Sequence, residues 1–258
     1  MGLIELREWD SNFFGFKCGG VVGDVSLDFE ESVVYERDSG EYDFLLHRHI
    51  LGKGKLDVSV LGRLGFSYID THRILDLRFD KFNAPLGRGV MENFSYAKID
   101  SLLEEKMREL KLIASDLSSV SRFAKDSKID SQKVLELYDQ WIDNSFSGQM
   151  ADAIYIAKNA LGKIVGFVTF KVKNGEGSEG SEENFVDLSL LAVDSGVRGR
   201  GVGKGLVNYA LNDLKKSGKY AECEVVVSSE NTGAVRFYEK LGFLQQKDTQ
   251  IYHWHRSK

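Results

Sequence analysis

The chain has 258 residues, of which 42% are hydrophobic and 28% are charged, a composition normal for a globular protein. Its formal net charge of −5 argues against a general nucleic-acid binder, because such a protein presents a basic face. The two cysteines, Cys18 and Cys223, are far apart and form no metal or redox motif. We therefore expect buried thiols in a reducing compartment, no metal and no nucleic-acid partner.

The start of the sequence predicts neither export nor membrane insertion. Charged residues begin at Glu5, too early for the apolar stretch of a signal peptide. No apolar run approaches the roughly 20 residues that span a bilayer. We therefore expect a cytoplasmic protein without a membrane span.

The single proline, Pro85, is followed closely by glycines in a stretch typical of a loop. It predicts a boundary between a small α/β domain over residues 1–90 and a larger domain over residues 91–258. Before the proline, the residue patterns predict a strand, a helix closed by Gly65, and a second strand. These three elements are expected over residues 43–48, 56–64 and 69–79.

After the proline, hydrophobic periodicity predicts both helices and strands. The helices are expected over residues 101–117, 131–146, 204–217 and 232–241. The strands are expected over residues 94–99, 153–157, 163–170, 185–193, 223–228 and 251–255. A segment rich in Gly, Ser and Glu, residues 174–184, is interpreted as a mobile acidic loop. This order favours an α/β fold in which a mixed sheet carries helices on both faces.

The segment from Leu190 to Gly205 is the most informative part of the sequence. A buried-strand pattern ends there in a Gly-rich turn, and the turn leads directly into a helix. Amides at the start of a helix have no partner within it, and the helix dipole adds positive charge, so such a turn binds phosphate. Arg198 and Arg200 could be solvated surface charges, but their position at a helix start favours anion binding.

Two common nucleotide-binding motifs do not fit this turn. A P-loop requires Gly-Lys followed by Ser or Thr, and Lys204 is followed by Gly205, so the hydroxyl that binds Mg²⁺ is missing. The dinucleotide motif G-x-G-x-x-G requires a different spacing of its third glycine and an initial βαβ unit.

The turn instead resembles the pyrophosphate loop of the GNAT acyltransferases. Residues 198–203 match that family's R-x-x-G-x-G, and residues 231–243 resemble its N-x-x-A-x-x-x-Y-x-x-x-G-F motif. The resemblance extends from about residue 94 to residue 258. It implies the GNAT fold, a mixed and mostly antiparallel sheet flanked by helices, with acetyl-CoA as cosubstrate and no metal.

The resemblance also implies roles for individual residues. Amides between Arg198 and Lys204 would hold the pyrophosphate, and Asn231 would hold the pantetheine arm or the neighbouring backbone. The amide of Val193 would polarise the thioester carbonyl, and Tyr238 would protonate the departing thiolate as general acid. The implied cofactor-binding residues are Leu191, Ala192, Val193, Arg198, Gly199, Arg200, Gly201, Val202, Gly203, Lys204 and Asn231.

Alternatives to these roles stay open. Without the resemblance, Tyr238 would be interpreted as a core aromatic, and Asn231 is a helix cap under either interpretation. No side chain is identified as the base for the attacking amine. Glu222 and Glu224 share one face of a strand whose orientation the sequence does not define, and ordered water is an alternative base.

A short internal similarity links the two predicted domains. Residues 62–66 (Gly-Arg-Leu-Gly-Phe) resemble residues 239–243 (Glu-Lys-Leu-Gly-Phe), and each segment ends a helix and starts a strand. One explanation is shared helix-cap chemistry. The other, which we favour because the strand after each segment is placed alike, is that the N-terminal region is a truncated GNAT-like copy.

The first residues indicate the acceptor. Residues 9–15 are similar to the W-x-x-x-F-F-G opening of the dTDP-fucosamine acetyltransferases, GNAT enzymes that acetylate dTDP-4-amino-4,6-dideoxy-D-galactose. Residues 121–123 and 138–144 resemble two further segments of those enzymes. The acceptor-binding residues implied are Trp9, Phe13, Phe14, Arg122 and Phe123, with aromatic stacking and an arginine contact to a diphosphate. Taken singly, each aromatic is more often a core residue.

The leading hypothesis is acetyl transfer from acetyl-CoA to the amine of a dTDP-linked amino sugar, by direct attack in a ternary complex. Residues 1–90 would contribute to acceptor binding. One alternative is a GNAT enzyme that acetylates a protein N-terminus, a lysine or another small amine. Another is a non-catalytic acyl-CoA-binding module. The expected partner is a small molecule, and a homodimer is one alternative for the assembly.

Overall fold

The structure is a computed structural model, and it describes residues 4–21, 27–53, 57–83, 90–91, 93–100, 104–174 and 184–256. The predicted loop around Pro85 and most of the predicted acidic loop lie outside the described residues. No helix among the described residues combines the length and the apolar character that a membrane span requires.

The described residues before Pro85 form four strands and three helices. The strands are β1 (Ile4–Leu6), β2 (Cys18–Val21), β3 (Phe44–Ile50) and β4 (Ser67–Arg78). The helices are α1 (Glu8–Phe14), α2 (Leu27–Asp38) and α3 (Val58–Arg63).

The described residues after Pro85 form seven strands and four α-helices, with a short 3₁₀ turn at Ser195–Val197. The strands are β5 (Val90–Met91), β6 (Phe94–Ile99), β7 (Ala153–Asn159), β8 (Ile164–Lys173), β9 (Phe185–Val193), β10 (Glu222–Ser228) and β11 (Leu244–His255). The helices are α4 (Glu104–Ser118), α5 (Ser131–Phe146), α6 (Val202–Ser217) and α7 (Thr232–Glu239).

Most predicted elements are confirmed, and α5 and β9 have the predicted bounds. The prediction for the last strand was wrong in length, because β11 begins at Leu244 and not at residue 251. Its first four residues are exposed, and three of them are polar, so the start of the strand carries little apolar signal. Helices α1 and α2 and strands β1, β2 and β5 were not predicted.

The strands form one continuous sheet in the order β1-β2-β3-β11-β4-β10-β9-β8-β7-β6-β5. Strand β4 therefore lies between β10 and β11, although most of the second part of the chain separates β4 from these two strands in sequence. Strand β11 in turn lies between β3 and β4. Each part of the chain thus contributes one strand to the middle of the other part's sheet, and we call this arrangement the strand exchange.

The topology also reveals an internal repeat, in which β1-β2-α2-β3-α3-β4 has the same order as β8-β9-α6-β10-α7-β11. Strands β1 and β2 are antiparallel, as β8 and β9 are, and β2 and β3 are parallel, as β9 and β10 are. Gly65 and Gly242 occupy matching positions, and both have left-handed backbone conformations, with φ of 84° and 95°. This repeat supports the interpretation of the N-terminal region as a GNAT-like copy.

Two hydrophobic clusters cover opposite faces of the second part of the sheet. One packs α6 and α7 against the sheet through residues such as Leu206, Ala210 and Tyr238. The other packs α4 and α5 against the opposite face through residues such as Leu110 and Ile142. Strand β9 contributes to both clusters, so it connects the two faces at the point where the candidate site lies.

Candidate active site

Strands β9 and β10 pair only at one end. Their parallel pairing runs from Phe185 opposite Glu222 to Leu188 opposite Val225. The next residue of β9, Ser189, is a bulge, because Thr169 of β8 pairs with Leu190 while Phe170 pairs with Leu188. Beyond this bulge β9 follows β8 and leaves β10, which opens a gap between two parallel strands.

The bulge also changes which face each β9 side chain meets. Before it, Val186 and Leu188 lie in the cluster beneath α6 and α7. After it, Leu190 and Ala192 lie in the cluster beneath α4 and α5, as an extra residue in the strand requires.

The backbone amides of Leu191 and Val193 point into the gap. Their neighbours point the other way, toward β8: the Leu190 amide donates to Thr169 Oγ1 at 3.1 Å, and the Asp194 amide donates to the Val165 carbonyl at 2.9 Å. Because amide direction alternates along a strand, the amides of Leu191 and Val193 point away from β8. The structure therefore directs the Val193 amide, implied to polarise a thioester, toward the open side.

The Gly-rich turn ends this gap at the start of α6. Gly199 and Gly201 both have left-handed conformations, with φ of 76° and 80°, and Gly201 caps the helix. The amide of Gly205 is the first in α6 to bond back, to the Gly201 carbonyl at 2.9 Å. The amides of Val202, Gly203 and Lys204 thus face outward with the positive end of the helix dipole.

The arginines of the turn differ in their contacts. Arg198 Nε donates to the Val193 carbonyl at 2.8 Å, and its guanidinium also pairs with Asp116 of α4. Arg200 and Lys204 are exposed beside the open amides. The turn combines backbone donors with two exposed cations, which is the donor set that a pyrophosphate requires.

Helix α7 brings Asn231 and Tyr238 to the other side of the gap. The Asn231 side chain caps α7 by accepting from the Ala234 amide at 3.1 Å, so its predicted cap role is confirmed. Tyr238 is buried, and burial raises its pKa well above the usual range. A phenol in this environment is protonated at neutral pH and can act as a proton donor.

A cavity of about 450 Å³ continues from the gap toward the N-terminal part of the chain. Its walls come from both parts because the strand exchange places β4 and β11 beside β10. Leu191, Asn231 and Tyr238 line the end at the gap. The far end is lined by Arg48, His72, Arg122, Phe123, Tyr138 and Trp141, with Asp187 nearer the bulge.

The cavity is electrically asymmetric. The guanidinium groups of Arg48 and Arg122 make no hydrogen bond or ion pair to another described residue, and the Arg122 Nε is buried without a partner. Burial and the positive charge of Arg48 lower the pKa of Arg122 to about 9. Near the bulge, burial raises the pKa of Asp187, whose carboxylate accepts from Ser189 Oγ at 3.2 Å. One end is therefore cationic and the other carries a carboxyl group.

The predicted acceptor residues fall into two groups. Arg122 and Phe123 line the cavity, with the Arg122 guanidinium 4.2 Å from the Phe123 ring centroid. Trp9, Phe13 and Phe14 lie on α1, where they pack onto the α4–α5 cluster and are not among the residues that line this cavity. Trp9 and Phe13 stack with ring centroids 5.5 Å apart, which favours a packing role.

Among the cavity residues with ionisable side chains, the sequence interpretation missed Arg48, His72 and Asp187. Arg48 and His72 lie on β3 and β4, and no local motif marks either of them. Asp187 lies opposite Glu224 in the β9–β10 pairing, and no motif joins these strands. For Asp187, the one local signal was its position two residues before Ser189 on β9, the strand that the resemblance assigns to the cofactor.

A second buried polar cluster lies beside the cavity. Asp126 Oδ2 is 2.7 Å from both His253 Nδ1 and His255 Nε2. Burial disfavours the charged carboxylate, but the hydrogen bonds from His253 and His255 outweigh it and hold the pKa of Asp126 well below its usual range. The cluster fixes the segment between α4 and α5, which carries Arg122, to β11.

This cluster predicts a specific loss of stability in acid. A depressed carboxyl pKa stabilises the fold above the unfolded-state pKa of about 4, and this contribution is lost as the pH falls further. Asp126→Asn should lower the free energy of unfolding by about 1–2 kcal/mol at pH 7, and its difference from wild type should shrink below pH 4. Urea unfolding at several pH values measures this. Asp143→Asn, at an exposed pair with Lys111, is the control, and an equal loss at all pH values would contradict the assignment.

Three curated relatives match parts of the chain. It is 38% identical over 89 residues to an uncharacterized N-acetyltransferase of Methanocaldococcus jannaschii, covering 33% of this chain and 37% of that protein. It is 30% identical over 105 residues to the mycothiol acetyltransferase of Saccharomonospora viridis, covering 41% and 32%. It is 23% identical over 141 residues to the spore coat polysaccharide biosynthesis protein SpsD of Bacillus subtilis, covering 55% and 45%. The matches thus span less than half of each relative.

Two solved structures share the fold over nearly the whole chain. A GCN5-related N-acetyltransferase from Kribbella flavida superposes with a TM-score of 0.61 at 11% identity, covering 93% of this chain and 82% of that one. A tandem GNAT protein from the clavulanic acid biosynthesis pathway gives 0.59 at 14% identity, covering 93% and 76%. Residues 117–243 match the Acetyltransferase (GNAT) family. This segment, which is just under half of the chain, is therefore similar to the acetyltransferase (GNAT) family, and the chain as a whole has the GNAT fold.

Proposed function

We propose that this protein transfers the acetyl group of acetyl-CoA to the amine of a nucleotide-linked amino sugar. The observation that carries the proposal is the asymmetric cavity, which joins the cofactor gap to an arginine pair. A nucleotide-linked amino sugar has the matching charges, an ammonium group at one end and a diphosphate at the other.

The gap fits the thioester end of acetyl-CoA. The open amides at the start of α6 hold the pyrophosphate, and the outward amides of Leu191 and Val193 pair with the pantetheine arm as a strand would. The Val193 amide then donates to the thioester carbonyl and stabilises the oxyanion that forms on attack. Tyr238 gives its proton to the thiolate that leaves.

The arginine pair fits the diphosphate of the acceptor. Two unpaired guanidinium groups in one cavity repel each other and concentrate positive potential, so a dianion relieves repulsion while it binds. Guanidinium groups also match phosphate oxygens with paired hydrogen bonds. Asp187 at the other end attracts the ammonium group of the acceptor and so holds it near the gap. The similarity to SpsD, which is named for polysaccharide biosynthesis, agrees with a sugar acceptor.

The arginine pair provides the test of this proposal. Replacing both Arg48 and Arg122 by Gln should raise the KM for a dTDP-amino sugar by about 30-fold or more, because each charged hydrogen bond contributes roughly 1.5–3 kcal/mol. Turnover of a small amine without phosphate should change less than threefold. Thiol release measures both. Arg108→Gln, at an exposed arginine on α4, is the matched control. Equal losses for both amines, or no turnover of any dTDP-amino sugar by wild type, would reject the nucleotide acceptor.

A further inference from the structure

His72 occupies a central place in the cavity wall. It lies on β4 opposite Ser228 of β10, three residues before Asn231, and so between the cofactor gap and the arginine pair. Its side chain shares one face of β4 with Asp70, because the two are two residues apart.

Asp70 is fully buried, and its two carboxylate oxygens have different surroundings. Oδ1 accepts from the Lys125 ammonium at 2.8 Å, from Ser228 Oγ at 3.0 Å and from the Thr71 amide at 2.8 Å. Oδ2 is buried without a hydrogen-bond partner in the described residues, and it lies 3.6 Å from His72 Nε2. A small movement of the imidazole would give this oxygen its missing donor.

This arrangement defines the state of the imidazole. With its proton on Nε2 directed at Asp70, His72 presents the Nδ1 lone pair as an acceptor. The charged groups around His72 are Asp70 on its own strand, Arg48 on β3, and Arg122 and Lys125 between α4 and α5. Burial, followed by the charge of Arg122, lowers the pKa of His72 to about 4, so the ring is neutral at neutral pH.

We propose that His72 is the general base that deprotonates the acceptor amine and that Asp70 is its positioning residue, an assignment that rests on the proposed function. A base works best when its pKa is near the working pH, and burial, together with the charges of Arg122 and Arg48, holds the pKa of His72 below that range. A diphosphate on Arg48 and Arg122 offsets those charges. Acceptor binding therefore raises the basicity of His72 at the moment when a base is required.

The reaction balances with the groups present. The ammonium loses one proton to His72 Nδ1, and the freed amine attacks the thioester carbon, forming the C–N bond. The C–S bond then breaks, and the thiolate takes the proton of Tyr238. The tyrosinate recovers a proton from the nitrogen that has become the amide, and His72 releases its proton to solvent.

Kinetics with acetyl-CoA and a dTDP-amino sugar test this assignment. We expect His72→Gln to lower kcat by about 100-fold, with both KM values within threefold of wild type. The acid limb of kcat against pH, which His72 sets in wild type, should move to the higher pKa of the acceptor amine. Asp70→Asn should shift that limb to lower pH, because a negative charge beside the imidazole is lost. His49→Gln, outside the cavity wall, should behave as wild type.

Several outcomes would overturn the proposal. One is that the kcat of His72→Gln stays within threefold of the wild-type value. Another is that the acid limb of kcat against pH persists in His72→Gln but disappears in Asp187→Asn. If wild type acetylates a simple amine but no nucleotide amino sugar, the proposed function fails, and the same variants tested with that amine still decide the role of His72. Wild type that acetylates no amine rejects both.

Histidine NMR gives a readout independent of turnover. The His72 resonance is assigned by its absence from His72→Gln, and its pKa is titrated with and without dTDP. We expect dTDP to raise that pKa by at least one unit, and Arg48→Gln with Arg122→Gln to remove the effect of dTDP. An unchanged His72 pKa on saturation with dTDP would overturn the link between diphosphate binding and the base.

Discussion

Tyr238→Phe is expected to lower kcat by about 100-fold or more and to leave the Kd for acetyl-CoA within twofold of wild type. In the proposed mechanism the hydroxyl is the proton donor to the leaving thiolate, and general acid catalysis contributes roughly 10²–10⁴-fold. The ring itself packs against Phe237 and Phe243, with centroids 5.2 and 5.5 Å away, and phenylalanine keeps those contacts. The variant therefore removes the proton and not the packing.

Stopped-flow thiol release and calorimetric binding of acetyl-CoA separate the two effects for this variant. Tyr209→Phe is the control, since Tyr209 lies exposed on α6 and does not line the cavity. An unchanged kcat in Tyr238→Phe would remove the general-acid role. A Kd raised in proportion to the loss in rate would instead indicate that the tyrosine holds the cofactor.

Gly205→Ala should destabilise the fold by about 1–3 kcal/mol, which is the usual cost of inserting a methyl group into a filled space. A Cβ built at Gly205 would lie 2.6 Å from Cζ of Tyr96 and closer still to its hydroxyl oxygen. Tyr96 lies on β6 and packs onto α6, so its ring must shift away from the helix to make room for the methyl group. Urea unfolding measures the loss, and the melting temperature should fall by roughly 2–4 °C per kcal/mol.

A double-mutant cycle tests whether the contact with Tyr96 causes this loss of stability. Shortening the partner with Tyr96→Leu should remove most of the penalty of Gly205→Ala, so the two changes should be strongly non-additive. Gly233→Ala on α7 is the matched control, because a Cβ there would meet only the Asn231 side chain, at 3.7 Å. Additive free energies of unfolding in the cycle would show that the clash with Tyr96 is not the reason for the glycine.

Local patterns were sufficient for much of this fold. The bounds of α5 and β9 follow from apolar periodicity, and the Gly-rich turn and the Asn231 cap follow from residues next to each other in sequence. Gly205 shows the limit of such patterns. It belongs to a glycine-rich turn in sequence, yet it is required by Tyr96, more than a hundred residues earlier, and no local rule relates these two positions.

The cavity was beyond sequence reasoning for a similar reason. Its charged wall combines Arg48 and His72 with Arg122, and these meet only because β11 and β4 enter each other's part of the sheet. The face that Asp187 takes depends on the bulge at Ser189 and on the register of β9 with β10, which no local pattern defines. Long-range strand pairing, rather than residue chemistry, decided which side chains share this space.

The strand exchange has a consequence for how the protein is made. During synthesis, β3 and β4 leave the ribosome long before β11, the strand that must pass between them. The first repeat therefore holds an unfilled slot with two exposed strand edges until the second repeat has been translated, and such edges invite pairing with other chains.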